Sequence, residues 1–596
     1  MCNFKLLKVL VLVSVIVTGC ARGHDNLWLD GQVPRDAAPA YSYRILNHWD
    51  NLDDTVERGY AGHSIWGWTS SELPVERISE YGALNQKIGI NGIVLNNVNA
   101  SPAILDHEHL DRVRKIADIL RHYGIKVYLS VNFASPMHVG SGADSTILST
   151  ADPLDKAVKK WWNDKTDEIY GLIPDFGGFL VKASSEGQPG PQDFGRTHVD
   201  GANMLANALV DHGGIVMWRA FVYSAGSPDR AMQAYDEFMP LDGKFADNVA
   251  IQVKNGPIDF QPREPYSPLF GAMRRTSLAP ELQITQEYLG QGNHSVFLAP
   301  MWKEFLDSDT YRDGPGSLVS RVSGPIIAGV ANVGQDENWC GNIFAQANWY
   351  AFGRLAWDPS LSSAQIADEW IRLTFPRPFF VSRRRFTEKF VEPVKAMMLS
   401  SWETCVDYMM PLGLHHIFAW EHHYGPEPWC DIPGARPDWL PSYYHRADTL
   451  GLGFDRTVDG SAAVLQYNDP FCTRIDDIRT CPEKYLLWFH HVPWDHKMRS
   501  GNTLWDELCY RYDRGVKATR ANVELWESLR MYVDRDRWKS IHEKLQIQAA
   551  DAAWWRDACL QYFAQFSRRP YPSDIEQPVI PLDSLQRIHL PMTYHN

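Results

Sequence analysis

Cysteine is scarce in this chain, with nine in 596 residues, and two of them lie within the first 20 positions. The other seven contain no C-x-x-C pair, which argues against a structural zinc site. Their odd number argues against a complete disulfide framework. No strand-like segment is followed by G-x-G-x-x-G, the pattern of a dinucleotide-binding sheet, and the sequence has no internal repeat. What remains is a long globular chain, for which we expect two or three domains.

Positive charge is also in deficit. Lys and Arg number 58 against 72 Asp and Glu, and the resulting net charge of −14 argues against an electrostatic grip on nucleic acid. Aromatic residues, by contrast, are abundant, with 23 Trp, 25 Tyr and 25 Phe. Such a tryptophan content fits a carbohydrate enzyme, in which sugar faces stack on indole rings, although core packing must account for most of these residues.

The first 21 residues have the pattern of an export signal. A start with two lysines precedes Val9–Val17, an apolar core too short to span a bilayer in the mature protein. The segment ends in Val-Thr-Gly-Cys20, which resembles a bacterial lipobox, where the chain is cut before a cysteine that is then lipidated. We predict a lipoprotein-type signal at residues 1–20 and a linker at 21–42. The protein is then exported, periplasmic or anchored to the outer membrane of a bacterium through Cys20; a plain secretory signal is the alternative.

From Tyr43 onward, short apolar runs alternate with amphipathic helical segments. Eight runs have the length and composition of strands: Arg44–Trp49, Gly92–Asn97, Lys126–Asn132, Gly178–Ser185, Val216–Tyr223, Val249–Lys254, Leu282–Tyr288 and Gly324–Val333. Eight strands with interleaved helices predict an α/β fold, a (β/α)₈ TIM barrel at residues 43–370, in preference to an open doubly wound sheet.

The pattern changes after the predicted barrel. Helical spacing dominates, with few strand signals, in Ala364–Thr374, Arg383–Ser400, Glu507–Asp534 and Trp538–Ser567. A loop-rich and aromatic-rich stretch, His415–Trp494, interrupts these helices. We therefore predict a mainly α-helical C-terminal domain at residues 371–596.

The segment Gly178–Gly190 is where the predicted chemistry begins. It is an apolar run that becomes polar and ends in Glu186, followed by Gly-Gln-Pro-Gly, which stops a strand or a helix. Strand alternation places Lys182, Ser184 and Glu186 on one face. In a parallel α/β barrel, the carboxyl end of a strand is where catalytic carboxylates lie, so Glu186 is a candidate, although a lone surface carboxylate beside a turn would look the same.

Two further carboxylates follow later strands. Asp259 comes shortly after strand six, and strand seven carries Gln283, Thr285 and Glu287 on one face. We expect Glu186, Asp259 and Glu287 to meet at one rim of the barrel. Glycoside hydrolysis needs a pair of carboxyl groups, one to protonate the leaving oxygen and one to activate water or attack. Like-charge repulsion among three carboxylates should also raise the pKa of at least one of them.

Cations accompany these acids in the sequence. Lys182 shares the predicted face with Glu186, Arg219 lies in strand five, and Lys254 ends strand six. A buried cation in a barrel must be paired. Either each one neutralises one of the acids, or some of them bind an anionic substrate such as a sugar carboxylate, and the two readings are compatible. The loop after strand one, which contains Glu57, has a polar and aromatic mixture suited to a sugar subsite.

Several long runs resemble glycoside hydrolase family 67, the α-glucuronidases of xylan breakdown. The runs are ILNHWDNLDDTVERGYAG, GINGIVLNNVNA, KASSEGQPGPQDFGRTHVDGANMLANAL, QVKNGPIDFQPREPYSPLFG, ITQEYLGQ, GVANVGQDENWCGNIFAQANWYAFGRLAWDP and HHIFAWEHHYGPEPW. They cover the chain from Tyr43 to about Ser567. The architecture of that family, a (β/α)₈ barrel followed by a mainly helical domain, agrees with the predicted one.

The resemblance implies an activity and a site. The activity is inverting hydrolysis of the α-1,2 bond between glucuronic acid, or its 4-O-methyl ether, and the terminal xylose of a xylo-oligosaccharide. Matching the family motifs makes Glu186 the general acid and assigns the base function to Asp259 and Glu287. Residues matched to contacts with the uronic acid are Lys182, Arg219 and Lys254, with Glu57 as a weaker match. The resemblance implies no metal and no cofactor, glucuronoxylan-derived oligosaccharides as partners, and a possible homodimer through the C-terminal domain.

The resemblance also carries a departure and two alternatives. Family members usually have a β-rich domain ahead of the barrel, and only His24–Ser42 lies there in this sequence, so we expect that domain to be missing. One alternative is a retaining barrel glycosidase with Glu186 as acid/base and Glu287 as nucleophile; the other is a non-catalytic sugar-binding lipoprotein. The carboxyl separation distinguishes retention, at about 5–5.5 Å, from inversion, at about 6.5–9.5 Å.

Overall fold

The computed structural model of the chain describes residues 33–35, 38–141, 146–221, 227 and 229–588. The predicted signal at 1–20, with Cys20, lies outside the described residues, as does part of the predicted linker at 21–42. Within the described part of the chain, no helix is long and apolar enough to cross a membrane.

Eight parallel strands close into a barrel in chain order, and the last pairs with the first. They are β1 (Tyr43–Asn47), β2 (Gly92–Val94), β3 (Lys126–Ser130), β4 (Gly178–Val181), β5 (Ile215–Arg219), β6 (Val249–Lys254), β7 (Ser277–Gln283) and β8 (Ile326–Val330). Apart from the first residue of β1, β3, β5 and β7, every strand residue is buried. This is the pattern of a parallel sheet covered on both faces, so the predicted (β/α)₈ fold is confirmed.

Helices connect the strands and continue beyond them. Those of the barrel region are α1 (Val75–Lys87), α2 (His107–Arg121), α3 (Lys156–Leu172), α4 (His198–Leu209), α5 (Arg230–Phe238), α6 (Leu269–Ala272), α7 (Ala299–Leu306), α8 (Val319–Val322), α9 (Gln346–Trp357) and α10 (Ser363–Thr374). In α2, the Asp106 side chain accepts the His109 N–H at 2.8 Å, and apolar residues three or four apart from Leu110 to Leu120 are buried. The cap and the apolar stripe explain why this segment is helical.

The C-terminal region is helical, as predicted. Its helices are α11 (Arg383–Phe386), α12 (Glu392–Met409), α13 (Pro441–His445), α14 (Phe471–Asp476), α15 (Leu486–Phe489), α16 (Leu504–Ser528), α17 (Arg535–Ser567) and α18 (Leu582–Leu585), and a π-helical turn, Thr387–Val391, joins α11 to α12. The long helices α12, α16 and α17 pack against one another. A two-stranded pair, β9 (Gly451–Leu452) and β10 (Val492–Pro493), lies in the loop-rich stretch between them.

The predicted position of the seventh strand is wrong. The prediction was Leu282–Tyr288, whereas β7 is Ser277–Gln283. Pro280 and the buried Glu281 occupy its centre, and both residue types are rare in the middle of a strand, so the pattern pointed to the apolar residues that follow. Glu287 therefore lies in a turn after the strand and not on its face.

Strand four also ends earlier than predicted. It stops at Val181, and both Ser184 and Glu186 have left-handed backbone conformations, with φ of 56° and 48°. The predicted strand alternation of Lys182, Ser184 and Glu186 is therefore wrong. The turn nevertheless brings Glu186 back to Lys182, with which it forms an ion pair.

Tryptophan supplies much of the core. Eleven indoles, including Trp66, Trp218 and Trp349, are less than 2% exposed. The seven cysteines of the described part are all free thiols. Core packing therefore accounts for many of the tryptophans.

Candidate active site

One cavity of about 1140 Å³ opens at the carboxyl ends of the barrel strands. Its barrel wall comes from the last residues of β5 and β6, from the loops after β1, β2, β4, β5, β6 and β7, and from the first residue of α5. The C-terminal region supplies the opposite wall, from His416 to Pro441. All seven residues predicted for the site line this cavity: Glu57, Lys182, Glu186, Arg219, Lys254, Asp259 and Glu287. The structure therefore brings the three predicted acids together in one opening.

Glu186 is presented by the turn after β4. Its carboxylate pairs with the Lys182 ammonium, which also donates to Asn99 Oδ1 at 2.7 Å. Lys182 is buried, and this burial lowers its pKa although Glu186 opposes the shift. Gly187 has a φ of 75°, a left-handed conformation that favours glycine, so the tight turn explains the glycine after the acid.

Asp259 is a buried carboxylate with two strong donors. Lys254 Nζ lies 2.8 Å from Oδ1, and the Tyr288 hydroxyl donates to Oδ2 at 2.7 Å. Arg230 Nη2 lies 4.0 Å from Oδ2. Burial acts to raise the pKa of Asp259, but the charges of Lys254 and Arg230 outweigh it and hold the pKa well below its usual range. Asp259 is therefore a carboxylate at neutral pH.

A second buried carboxyl group, Glu264, supports the loop that carries Asp259. Its two oxygens accept the backbone N–H groups of Ile258, Asp259 and Gln261 at 2.8, 2.9 and 3.3 Å. Burial raises the pKa of Glu264 to about 8 against the effect of these donors. Glu264, which does not line the cavity, thus holds the loop 258–261 in place through these backbone hydrogen bonds.

Glu287 has three side-chain donors. Arg58 Nε lies 3.0 Å and His423 Nδ1 2.8 Å from Oε1, while Gln283 donates to Oε2 at 2.8 Å. Burial acts to raise the pKa of Glu287, but Arg58 and His423 lower it below its usual value. The rise in pKa expected for at least one of the three acids is thus not found at Asp259 or Glu287. Lys254 and Arg230 lower the pKa of Asp259, and Arg58 and His423 lower that of Glu287, by more than the neighbouring carboxylates raise it.

Arg219 pairs with an acid that the sequence analysis did not consider. Its guanidinium donates to both carboxylate oxygens of Glu281, at 3.1 and 2.7 Å, and both side chains are buried. The expectation that each cation neutralises one of the three acids thus holds for Lys182 and Lys254 but is wrong for Arg219. The three cations also surround one ring: Phe221 lies 3.6 Å from Lys254 Nζ, 4.8 Å from Lys182 Nζ and 5.1 Å from Arg219 Cζ.

Glu57 lies on the wall formed by the loop after β1. Its Oε2 accepts hydrogen bonds from Asn97 Nδ2 at 2.8 Å and from Asn99 Nδ2 at 3.1 Å. Because Asn99 also accepts from Lys182, Glu57 is connected to the Lys182–Glu186 pair through one amide. In the part of the chain that the structure describes, no group of three or more His, Cys, Asp or Glu side chains could hold a metal ion.

Comparison with known proteins decides the family. The family model described as "Glycosyl hydrolase family 67 middle domain" matches residues 30–339, more than half of the chain. The chain belongs to glycoside hydrolase family 67. A second model, "Glycosyl hydrolase family 67 C-terminus", matches residues 340–576. The family boundary at 339/340 therefore precedes the boundary at 370 that we predicted for the barrel.

Two relatives show how far the similarity of this family 67 chain extends. It is 42% identical over 556 residues to alpha-glucuronidase A of Emericella nidulans, a match that covers 89% of this chain and 63% of the relative. It is 40% identical over 556 residues to an alpha-glucuronidase of Hypocrea jecorina, with the same coverages. The chain thus spans about 63% of the length of these relatives.

Sequence reasoning missed several residues of the family 67 cavity. Arg58, Arg230, Tyr288, His416 and His423 all line it. The run HHIFAWEHHYGPEPW, which supplies His416 and His423, carried the family resemblance but suggested no role, because nothing local shows that a loop 130 residues away closes over Glu287. The high density of histidine and aromatic residues in this run was the sequence signal that could have indicated a role in the site.

Proposed function

We propose that this chain is an α-glucuronidase, which removes α-1,2-linked glucuronic acid or its 4-O-methyl ether from xylo-oligosaccharides. The observation that carries the proposal is the grouping of Glu186, Asp259 and Glu287 in one cavity with buried Lys182 and Lys254. A cavity with buried cations suits a sugar that bears a carboxylate, because charge-assisted hydrogen bonds form there without competition from water. Family membership and the names of the two relatives support the same activity.

The depths of the three acids support their roles. The Glu186 side chain is 41% exposed, whereas Asp259 and Glu287 are only 9% and 6% exposed. A general acid must reach the oxygen of the leaving xylo-oligosaccharide, which extends toward solvent, so the most exposed acid is the best placed. Asp259 and Glu287 are held as carboxylates at the deep end, where they can accept a proton from an attacking water.

The proposed stereochemistry is inversion. Asp259 and Glu287 are connected: Tyr288 donates to Asp259, and its ring stacks at 4.5 Å on His423, which contacts Glu287. Both carboxylates line the same cavity, and we assign the activated water to this pair. In the retaining alternative Glu287 would attack the sugar directly, and Asp259 would have no such task.

The decisive experiment is incubation of the purified protein with aldouronic acids, followed by chromatography for free glucuronic acid. Proton NMR of the first seconds of the reaction identifies the anomer that forms first. Release of the β-anomer from the α-linked substrate is expected; first release of the α-anomer would establish retention. A folded protein that binds the oligosaccharide without releasing uronic acid would instead be a sugar-binding protein.

We also propose that a second copy of the chain covers an exposed aromatic pair in the C-terminal domain. Phe379 and Phe380 are 95% and 62% exposed, with ring centroids 5.3 Å apart. The exposed arginines at 383–385 adjoin them, and an exposed apolar pair of this kind is typical of a surface that a partner chain covers. Light scattering should give a dimer mass for the native chain and a monomer mass for the F379S/F380S variant. A native chain that is monomeric at micromolar concentration would exclude the dimer. Export and lipidation at Cys20 stay predictions.

A further inference from the structure

Arg230 is a cation of the cavity wall that the sequence did not predict as a site residue. It is the first residue of α5, only 6% exposed, and its Nη2 lies 4.0 Å from Asp259 Oδ2. Lys254 occupies the other side of the same carboxylate, 2.8 Å from Oδ1. Asp259 thus lies between two cations from different elements, one at the end of β6 and one at the start of α5.

The C-terminal domain fixes the guanidinium of Arg230. Nη1 donates to the Tyr444 hydroxyl at 3.0 Å and to the Asp438 carbonyl at 3.4 Å. The Tyr444 hydroxyl donates in turn to the same carbonyl at 2.6 Å. The backbone N–H of Arg230 donates to the Tyr443 hydroxyl at 3.1 Å. The segment 438–444 therefore orients both the side chain and the backbone of Arg230.

A buried ion pair anchors the same helix start. Asp229 caps α5, accepting from Ala231 N at 3.0 Å, and its carboxylate also receives Arg456 Nε at 2.7 Å and the Ser461 hydroxyl at 2.8 Å. Both Asp229 and Arg456 are fully buried. Arg456 donates further to the Trp488 carbonyl at 2.7 Å. Within the described part of the chain, the Asp229 partners other than Ala231 come from the C-terminal domain, which thus holds the start of α5 in place.

We propose that Arg230 is a positioning residue for the candidate base Asp259, and that the C-terminal segment 438–461 holds it in place. The inference rests on the proposed function, in which Asp259 helps to activate water. The C-terminal domain then takes part in catalysis through Arg230, in addition to forming part of the cavity wall. Arg230 acts on the carboxylate, and the sugar is bound by other groups.

The charge environment of Asp259 shows what the removal of Arg230 should do. The titratable groups that face this carboxylate from all packed elements are Arg230, Lys254, Glu264, Tyr288, Glu287 and His416. Glu264 and Glu287 are acids, and burial holds the pKa of His416 well below its usual value, so that it is neutral at neutral pH. Lys254 is then the one remaining cation of this set when Arg230 is replaced.

A double-mutant cycle tests the contact without any substrate. Thermal unfolding midpoints are measured for the native chain, R230M, D259N and R230M/D259N. We expect R230M to lower the midpoint less in the D259N background, because the charge that Arg230 faces is then absent. Arg354, a buried arginine paired with Glu369 at 2.8 Å, supplies the control: R354M and D259N should be additive. Additivity of R230M and D259N would overturn the inference, whatever the activity of the protein.

Kinetics on an aldouronic acid test the role. R230M should lower kcat about tenfold to a hundredfold with KM within about twofold, and its acidic limb should move to higher pH; R230K should recover most of the rate. A rise in KM with unchanged kcat would mean that Arg230 binds the sugar, and would overturn the inference. If the native chain releases no uronic acid, the proposed function fails. The double-mutant cycle still tests whether Arg230 and Asp259 interact, because it needs no substrate.

A milder pair of variants tests the support from the C-terminal domain. Y444F removes the hydroxyl that Arg230 contacts, whereas Y467F removes a buried hydroxyl of the same domain that donates to the Tyr266 carbonyl at 3.1 Å, outside the cavity wall. Y444F should show a smaller version of the R230M loss in kcat, and Y467F should not. Equal effects of the two variants would overturn the claim that segment 438–461 acts through Arg230.

Discussion

The hydroxyl of Tyr288 donates a 2.7 Å hydrogen bond to Oδ2 of Asp259. Hydrogen bonds to charged groups contribute about 1.5–3 kcal/mol, and this one favours the carboxylate over the acid form. We therefore predict that Y288F raises the pKa of Asp259 and lowers kcat about tenfold. The ring and its stacking on His423 are retained in this variant. The pH dependence of kcat provides the check, and an unchanged rate and acidic limb would show that the bond has no role in turnover.

Glu186 offers the clearest separation of chemistry from folding. Its side chain is 41% exposed, and the glutamine oxygen of E186Q can still accept from the buried Lys182 ammonium, so the loss of stability should be small beside the loss of activity, and the unfolding midpoint measures it. Loss of a general acid should lower kcat on aldouronic acids by about 10²–10⁴. An aryl glucuronide with an acidic phenol needs no protonation to leave, so E186Q should cleave it at a rate close to that of the native chain. An equal loss on both substrates would mean that Glu186 is not the acid.

The lowered pKa values of Asp259 and Glu287 predict how stability depends on pH. Each carboxylate has a pKa lower in the folded chain than its ordinary value of about 4, so the folded state binds these protons less readily than the unfolded state. Their contribution to stability is present above about pH 4 and is lost as the pH falls through the folded values. We expect D259N/E287Q to unfold with a shallower dependence on pH below 4 than the native chain. Chemical denaturation at a series of acidic pH values measures this slope, and parallel curves would contradict the prediction.

The barrel was predictable because its signals are local. Runs such as Val249–Lys254 are apolar, short and bounded by turn residues, and the structure has that strand with the same limits. The position of strand seven was predicted wrongly because Pro280 and Glu281 interrupt the apolar pattern. Glu281 is tolerated in the strand only because Arg219 pairs with it across the barrel. That pairing is a tertiary fact that no local pattern contains.

The candidate site shows the same difference between features that local sequence signals predict and features that depend on tertiary packing. Glu186, Asp259 and Glu287 follow strands, and in a parallel barrel all strand ends share one rim, so their meeting could be predicted from order alone. The directions in which the pKa values of these acids shift could not be predicted from the sequence. Repulsion among the acids was the natural expectation, but Arg58 and His423 reach Glu287 from positions 229 and 136 residues away in the chain. Which cation lies beside which acid depends on packing between the barrel and the C-terminal domain.

Glu264 supplies a prediction in which the pH changes the outcome. E264Q keeps one oxygen but places an amide NH₂ against the Ile258 N–H, which leaves a buried donor unpaired at a cost of about 1–3 kcal/mol. Burial raises the pKa of the native carboxyl to about 8, so its contribution to stability is present below about pH 4 and is lost as the pH rises through 8. The variant should therefore be clearly less stable than the native chain at pH 5 and closer to it at pH 8. Urea unfolding at the two pH values measures the difference, and a constant difference would mean that Glu264 is ionised throughout.

The buried pair of Asp229 and Arg456 predicts a non-additive effect on stability. R456M leaves the Asp229 carboxylate, which is fully buried, without its guanidinium, and such a loss costs about 3–5 kcal/mol. D229N/R456M removes both charges and keeps the amide oxygen that can cap α5, so the double variant should be more stable than R456M alone. Denaturant unfolding of the native chain, D229N, R456M and D229N/R456M measures the coupling. If the double variant loses the sum of the two single losses, the two side chains do not depend on each other, and the link between α5 and the C-terminal domain must then come from the tyrosine contacts of Arg230.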